Sequence, residues 1–476
     1  MRKIHQYVVV TCLLAFMVIL CSCSESKKQE EGSLEKEGEV LQMEVDFEEP
    51  LRVFYEDAGF LVNFSNVYPD VELELCKISR SWEGEEMSIE SWAEKYGDPD
   101  IVLLHPSSGF NLVEEYEKGQ VEDIRAYCAE DAALDQANYV GGTFDVFANG
   151  EVLMGLPLSW QKQCLIVKES EMMNSALEVL PEGYTGLELF KAMLTEIQKE
   201  QYIEKFCWLH MLSFYYNLKE VAPKIDGKFE IDEEMFKALF EFSIQNEMNF
   251  EAADEAFGGV YEHLFQTQGE PALDPDACRG GYYGTSLMGA PQVTAIYAKS
   301  VAGMDCEDVE FFWIPTADNG DEYVGLVRDY AFIGKNSARK QQAYEVIRMM
   351  MDMPVMFMTQ PTGFDSEIYS SVNIQQSIES LNYFNNLEQK LHIWNRGGEL
   401  FYILDQLKLD EEELEEIRGV IKGISSLNMD LSEEETTELN KLYYDYKSLC
   451  VDSGSIDHAM CYAEMQKYFT AGTDIQ

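Results

Sequence analysis

The sequence predicts an α/β protein with a helical C-terminal portion. Three observations carry this. Ile101–Leu104 is an unbroken apolar run bounded by polar residues, as in a strand buried on both faces of a parallel sheet. Strand-like and helix-like segments alternate as far as about residue 350. Beyond that point nearly every periodic segment has helical spacing.

Structure is expected to begin with the strand Leu51-Arg52-Val53-Phe54-Tyr55. Tyr68-Pro69-Asp70 is turn chemistry, after which Val71, Leu73 and Leu75 alternate as in a half-buried strand. Asp98-Pro99-Asp100 introduces the buried strand at Ile101. Thr185 to Glu188 forms a capping box, and Phe190, Met193, Leu194 and Ile197 follow at helical spacing. After Ser337, one apolar stripe runs through Ala343, Val346, Ile347 and Met350. Ser432 to Glu435 is a second capping box, leading to Leu439, Leu442, Tyr443, Tyr446 and Leu449. No internal repeat of fixed period is present.

Composition excludes several classes. The 476 residues allow two to four compact units, and a hydrophobic fraction of 46% rules out wholesale disorder. Against 87 Asp and Glu stand only 35 Lys and Arg, a net charge of −52, which repels nucleic-acid backbones and anionic lipids. Nucleic acid is therefore not expected as a partner. With so many acids, a pair of carboxylates carries little information. The six His, at 5, 105, 210, 263, 392 and 458, include no two at metal-binding spacing, so neither a metal nor any other cofactor is expected.

Met1-Arg2-Lys3 is a basic lead into a run, Tyr7 to Leu20, that is nearly all apolar and too short to span a bilayer. It ends in Leu20-Cys21-Ser22-Cys23, which resembles the bacterial lipobox. That resemblance implies cleavage after Ser22 and a lipid on Cys23, with an ordinary secretory signal as the alternative. Residues 1–22 carry two of the 35 basic side chains and no acidic one, so the mature charge is −54. Residues 23–45 are Glu-, Lys-, Gly- and Ser-rich and read as a disordered tether. Eight further cysteines (76, 128, 164, 207, 278, 306, 450 and 461) are scattered without a CxxC, and are expected as buried thiols rather than a disulfide framework.

The enzyme signatures GxGxxG, GxxxxGKS/T and HExxH are absent, and Gly284 to Gly289 misses GxSxG because Met288 stands where Gly is needed. Six ordered segments instead resemble the extracytoplasmic solute-binding proteins of ABC importers, the family of maltodextrin and other sugar binders. They are Asp98-Pro99-Asp100-Ile101-Val102-Leu103, Tyr116 to Ile124, Asn149 to Pro157, Leu287-Met288-Gly289-Ala290-Pro291, Phe332 to Met351, and His458 to Ala471. The resemblance implies a two-lobed periplasmic-binding-protein-like fold of type II, with 46–158 and 326–370 in one lobe and 159–325 and 371–476 in the other. It implies a monomeric, non-catalytic binder, lipid-anchored outside the cell, that closes on a small solute and delivers it to a permease.

Loops at the carboxyl ends of parallel strands face the cleft in such folds, which nominates His105 and Ser107. A cap on the following helix is the other reading of His105. Trp160, past the first crossing, is either a ring that stacks on a sugar or a hinge-core residue. Tyr282 and Tyr283 in a Gly-rich loop are contacts or packing. Arg328-Asp329, a charged pair in the apolar second crossing, is a cleft contact or an interlobe salt bridge. Gln292 follows Pro291 where the family's sugar binders often carry Trp, a departure that weakens the carbohydrate reading. The expected ligand is an oligosaccharide. A surface glycan hydrolase, or a same-fold binder of cationic solutes, peptides or a sensor partner, is the alternative.

Overall fold

The computed structural model describes residues 49–56, 59–78, 87–108, 110–168, 171–181, 184, 188, 191–192, 195–196, 214–225, 227–256, 285–289, 309–313, 316, 322–353, 370–385, 392–394, 400–402, 409–429, 431, 433–453 and 457–470. Strand β1 (Leu51–Tyr55), helix α1 (Gly59–Val67), strand β2 (Leu73–Lys77), helix α2 (Ile89–Tyr96) and strand β3 (Ile101–Leu104) open the fold. Both β2 and β3 pair with β1 in parallel, and all four residues of β3 are buried as the apolar run predicts. β2 differs. It lies at the sheet's edge and Leu75 is 45% exposed, so the alternating pattern there does not mark an inward face.

Asp100 explains the turn before β3. Its carboxylate accepts the Arg52 N–H at 2.8 Å and the Ser337 hydroxyl at 2.6 Å, and it pairs with the Arg339 guanidinium. Helices α3 (Leu112–Glu117) and α4 (Arg125–Glu130) follow, α3 ending before Gly119, whose φ of 76° suits only a residue without Cβ. The hairpin β4 (Ala148–Asn149) and β5 (Val152–Leu153) then leads into β6 (Leu156–Lys168).

β6 is the hinge of the topology. Over Leu156–Gln161 it pairs antiparallel with β11, and at Ser159–Trp160 with β12. From Lys162 onward its neighbours are β9 and β10 instead. The strand changes all its partners between Gln161 and Lys162, three residues past the sequence-based boundary.

The middle of the chain supplies α5 (Glu171–Glu178), α6 (Phe214–Val221), β7 (Lys224–Ile225), β8 (Lys228–Glu230), α7 (Glu233–Ala256), β9 (Thr285–Gly289) and β10 (Val309–Trp313). β11 (Tyr323–Ile333) returns antiparallel to both β6 and β3. Helix α8 (Lys340–Met351) buries Ala343, Val346, Ile347 and Met350 as its stripe predicts.

Past residue 353 come β12 (Ser370–Ser371), α9 (Ile374–Asn385), β13 (His392–Trp394), β14 (Leu400–Tyr402), α10 (Glu411–Lys422), β15 (Ile424–Asn428), α11 (Glu433–Ser453), α12 (His458–Met465) and β16 (Phe469–Thr470). The described remainder is mainly helical, as expected, with short strands among the helices, of which β15 pairs in parallel with β11 and β16 with β8. α10 starts in a complete capping box at Asp410. On α11 Leu439 and Tyr443 are buried while Leu449 is 55% exposed, so the predicted stripe stops short. Both predicted capping-box residues, Thr185 and Ser432, lie outside the described residues.

Two apolar cores result. The first joins the β1–β3 sheet, α8, Trp160, Tyr330 and also Val372, Leu381, Leu414, Ile417 and Leu427. The second gathers Phe214, Phe236, Phe240, Leu439, Tyr443, Tyr462 and Phe469. Among the described residues, the buried apolar side chains between Val372 and Leu427 belong to the first core, although the sequence reading groups 371–476 in one lobe with 159–325. Among the described residues no helix is long and apolar enough to cross a membrane.

Candidate functional site

Parallel strands β1 and β3 end side by side, and each delivers a polar residue to that edge. Glu56 follows β1 and His105 follows β3; the His105 N–H donates to Glu56 Oε2 at 3.2 Å. The His105 carbonyl accepts the Ser108 N–H at 3.0 Å, closing a single 3-10 turn, Pro106–Ser108. The helix that His105 was expected to cap is thus this one turn. Ser107 sits in its middle, with its side chain outside the described residues. Ser108 is buried and its hydroxyl accepts the Phe110 N–H. Tyr330 is sealed from solvent. Burial first, and the Glu56 charge second, push its phenol well above the ordinary value.

The crossing strands add the second group. Ser159 Oγ donates to Asp329 Oδ2 at 2.6 Å. The β6–β11 register shifts on both sides of Asp329, an irregularity that re-aims side chains out of strict alternation. Arg328 and Asp329 are consequently buried in the middle of an apolar strand. Of the two readings of this pair, the geometry gives Asp329 a partner on the other crossing strand, the Ser159 hydroxyl.

Trp160 is a correction. It is 0% exposed, its indole N–H donates to the Ser371 carbonyl at 2.9 Å, and a Cβ on Gly325 would come within 3.2 Å of its ring. No face of the ring is open to a sugar. Strand alternation explains why: Trp160 and Lys162 share one face of β6, Ser159 and Gln161 the other. Lys162 is also 0% exposed, held at 2.5 Å from Glu220 Oε2 on α6. Gln161 is half-buried and stands next to the Ser159–Asp329 pair.

The structure therefore brings together Glu56, His105, Ser108, Ser159, Asp329 and Tyr330 around the strand ends and the crossing, with Arg328 beside them. Tyr282, Tyr283, Gln292 and Cys23 lie outside the described residues. Sequence reasoning missed Glu56, although the strand-end rule that found His105 applies equally to β1. It also passed over Gln161 and Lys162, which period-two alternation in Leu156–Lys168 separates onto opposite faces. Most of the groups at this edge are buried nearly as fully as Trp160; His105 and Gln161, both half-buried, are the members that offer a polar ring and an amide toward solvent. Among the described residues no three His, Cys, Asp or Glu are placed to hold a metal.

No protein-family model matches the chain, and no curated protein matches it. Solved structures do. The sugar-binding protein MalE of Xanthomonas citri is 14% identical, with a TM-score of 0.53, over 88% of this chain and 96% of that one. A family 1 extracellular solute-binding protein of Alicyclobacillus acidocaldarius is 10% identical, with a TM-score of 0.48, over 88% and 98%. The galacto-N-biose-/lacto-N-biose I-binding protein of a Bifidobacterium longum ABC transporter is 13% identical, with a TM-score of 0.44, over 88% and 95%. At such identities the likeness is one of fold. The chain has the two-lobed α/β fold of the Xanthomonas citri protein, as the six sequence segments implied.

Proposed function

We propose that this chain is an extracytoplasmic solute-binding protein that captures an oligosaccharide and delivers it to an ABC importer, without turning it over. The observation that carries this reading is the shared fold with the sugar-binding protein of Xanthomonas citri over nearly its whole length. The strand-end pair Glu56 and His105 and the crossing-strand group Ser159, Gln161 and Asp329 support this reading, because ligands of open α/β folds bind at the carboxyl ends of strands. In this reading the two lobes that close on the solute are those expected from the sequence, 46–158 with 326–370 and 159–325 with 371–476, except that the buried residues between Val372 and Leu427, which pack in the first core, go with the first lobe. Cys23 carries the lipid that keeps the monomeric binder near its permease. Mass spectrometry of the membrane fraction should find an acylated Cys23 at the mature N-terminus; an intact Met1 would remove the anchor from this reading.

A thermal-unfolding screen of the purified chain against maltotriose, mannotriose, xylotriose, lacto-N-biose, spermidine and short basic peptides tests the ligand. A true ligand at 100 times its dissociation constant adds about 2.7 kcal/mol of stability and raises the midpoint. A shift with spermidine or basic peptides alone would replace the sugar by a cationic solute, a class that the −52 charge also suits. Cleavage of any of the sugars would overturn the binder reading in favour of a hydrolase.

A further inference from the structure

We propose that β15 and the residues just after it form a strap that joins the two cores and makes each sense the integrity of the other. This goes beyond solute binding and needs no ligand. One end of the strap sits on the first core. Gly141 N–H donates to the Ile424 carbonyl at 2.8 Å, and Gly141 and Gly142 lie flat against the strand's backbone. A Cβ on Gly141 would fall 2.2 Å from the Ser425 carbonyl oxygen, and one on Gly142 2.4 Å from Leu427 N, at a φ of +81° that L side chains rarely adopt. Only two successive glycines make this notch. Ile424 and Leu427 are buried in the first core, and the strand pairs with β11 at every residue except Ser425, where the register shifts.

The other end grips the second core. Asn428 is buried and its amide donates to two carbonyls at the end of α6, Lys219 in the last turn and Ala222 just past it, each at 2.8 Å. The Lys224 ammonium donates to the Met429 carbonyl at 3.2 Å, and the Tyr215 hydroxyl accepts the Leu431 N–H at 2.9 Å. Phe214, Tyr215, Leu218 and Val221 of the same helix are second-core residues. Within eight residues the chain thus leaves a backbone notch in one core and caps a helix of the other. A displacement of either end pulls on a buried hydrogen-bonded group at the far end.

Hydrogen exchange followed by mass spectrometry on the whole chain tests this, comparing the parent with Asn428→Ala and Gly142→Ala. A strap predicts reciprocity. Asn428→Ala should speed exchange about fivefold at residues 219–224 and equally at 141–146, whose hydrogen bond runs to Ile424 and not to Asn428. Gly142→Ala should do the same in reverse. If each substitution accelerates only its own end, β15 is an ordinary strand and the proposal falls. Should Gly142→Ala not fold, Asn428→Ala alone decides, since removing two hydrogen bonds introduces no clash. Solute binding plays no part in the readout, so a failed sugar screen leaves this result standing, and the converse holds.

Discussion

The two cores are built from different materials, and the difference shows where the molecule is rigid by shape and where by charge. The first is a sheet of aliphatic strands, Val53, Ile101 to Leu104, Ala331 and Ile333, covered by α8. The second is richer in aromatics: Phe214 lies 5.4 Å from Phe236 and stacks at 5.8 Å on Tyr443, and Tyr462 stacks on Phe469. Where they meet, the contacts turn polar. Lys162 reaches Glu220, Asn428 reaches the α6 carbonyls, and Trp160 spends its indole N–H on Ser371. Apolar packing is tolerant of small slips. Buried hydrogen bonds are directional, so these polar contacts set which groups face each other at the joint more strictly than apolar packing does.

The largest expected effect follows from that junction. Lys162→Met removes the ammonium from beside a fully buried carboxylate and should cost about 3–5 kcal/mol. The double substitution Lys162→Met with Glu220→Leu should recover most of it, because an apolar pair of similar volume needs no counter-charge. Urea unfolding of the three variants checks this; a single substitution costing under about 1 kcal/mol would show that the pair contributes little. Next in size is Trp160→Phe, which keeps a ring against Gly325 but gives up the bond to Ser371. About 1–2 kcal/mol of stability should go. Affinity for a solute found in the screen should stay within about twofold, that is about 0.4 kcal/mol. Loss of affinity at unchanged stability would return Trp160 to the ligand.

That expectation reverses what the sequence suggested for Trp160, and the reason is instructive. Part of the fold is legible in hydrophobic patterning, β3 from its apolar run and α8 from its stripe, while the two crossing strands near Pro157 and Val324 are expected from the family resemblance. Facing is harder. A Trp beside polar Ser159 and Gln161 looks like a binding residue until the strand's register is known, and then odd and even positions part onto opposite faces. β15 was hidden for another reason. Ile424-Ser425-Ser426-Leu427-Asn428 has neither alternation nor an apolar run, and it is held by glycines almost 300 residues away. Non-local partners of that kind leave no local trace. Asp329 was visible as a charge in an apolar strand, but its partner Ser159 is fixed by a register irregularity that sequence does not display.

A smaller effect separates the strand-end site from the junction behind it. Glu56→Gln keeps shape and one acceptor while removing the charge next to the His105 N–H and Tyr330. If the site takes a sugar, affinity should fall about tenfold, near 1.4 kcal/mol. If it takes a cationic solute, the fall should be steeper and should shrink with added salt. Titration calorimetry at two salt concentrations distinguishes these, and no change at either would remove Glu56 from the site.

The smallest effect belongs to the second core and concerns pH. His458 opens α12 and lies at the edge of the aromatic cluster, 6.4 Å from the Phe240 ring, with Nε2 2.9 Å from Glu241. Burial is the main influence on its imidazole and lowers its pKa below the ordinary 6.5; the Glu241 carboxylate pulls the other way and Lys237 adds to the lowering. Nδ1 is buried with no hydrogen-bond partner, so a proton there would meet no acceptor. The folded chain therefore holds His458 neutral at a pH where the unfolded chain has begun to protonate it. Below about 6.5 the unfolded state binds the extra proton, and stability falls as the medium acidifies; above that value both states are neutral and the contribution is flat. His458→Gln, which can still donate to Glu241, removes this proton from the balance. Unfolding midpoints measured from pH 7.5 down to 5.5 should decline less in His458→Gln than in the parent. Parallel curves would mean that the imidazole titrates alike in both states and that burial at the end of α12 does not hold it neutral.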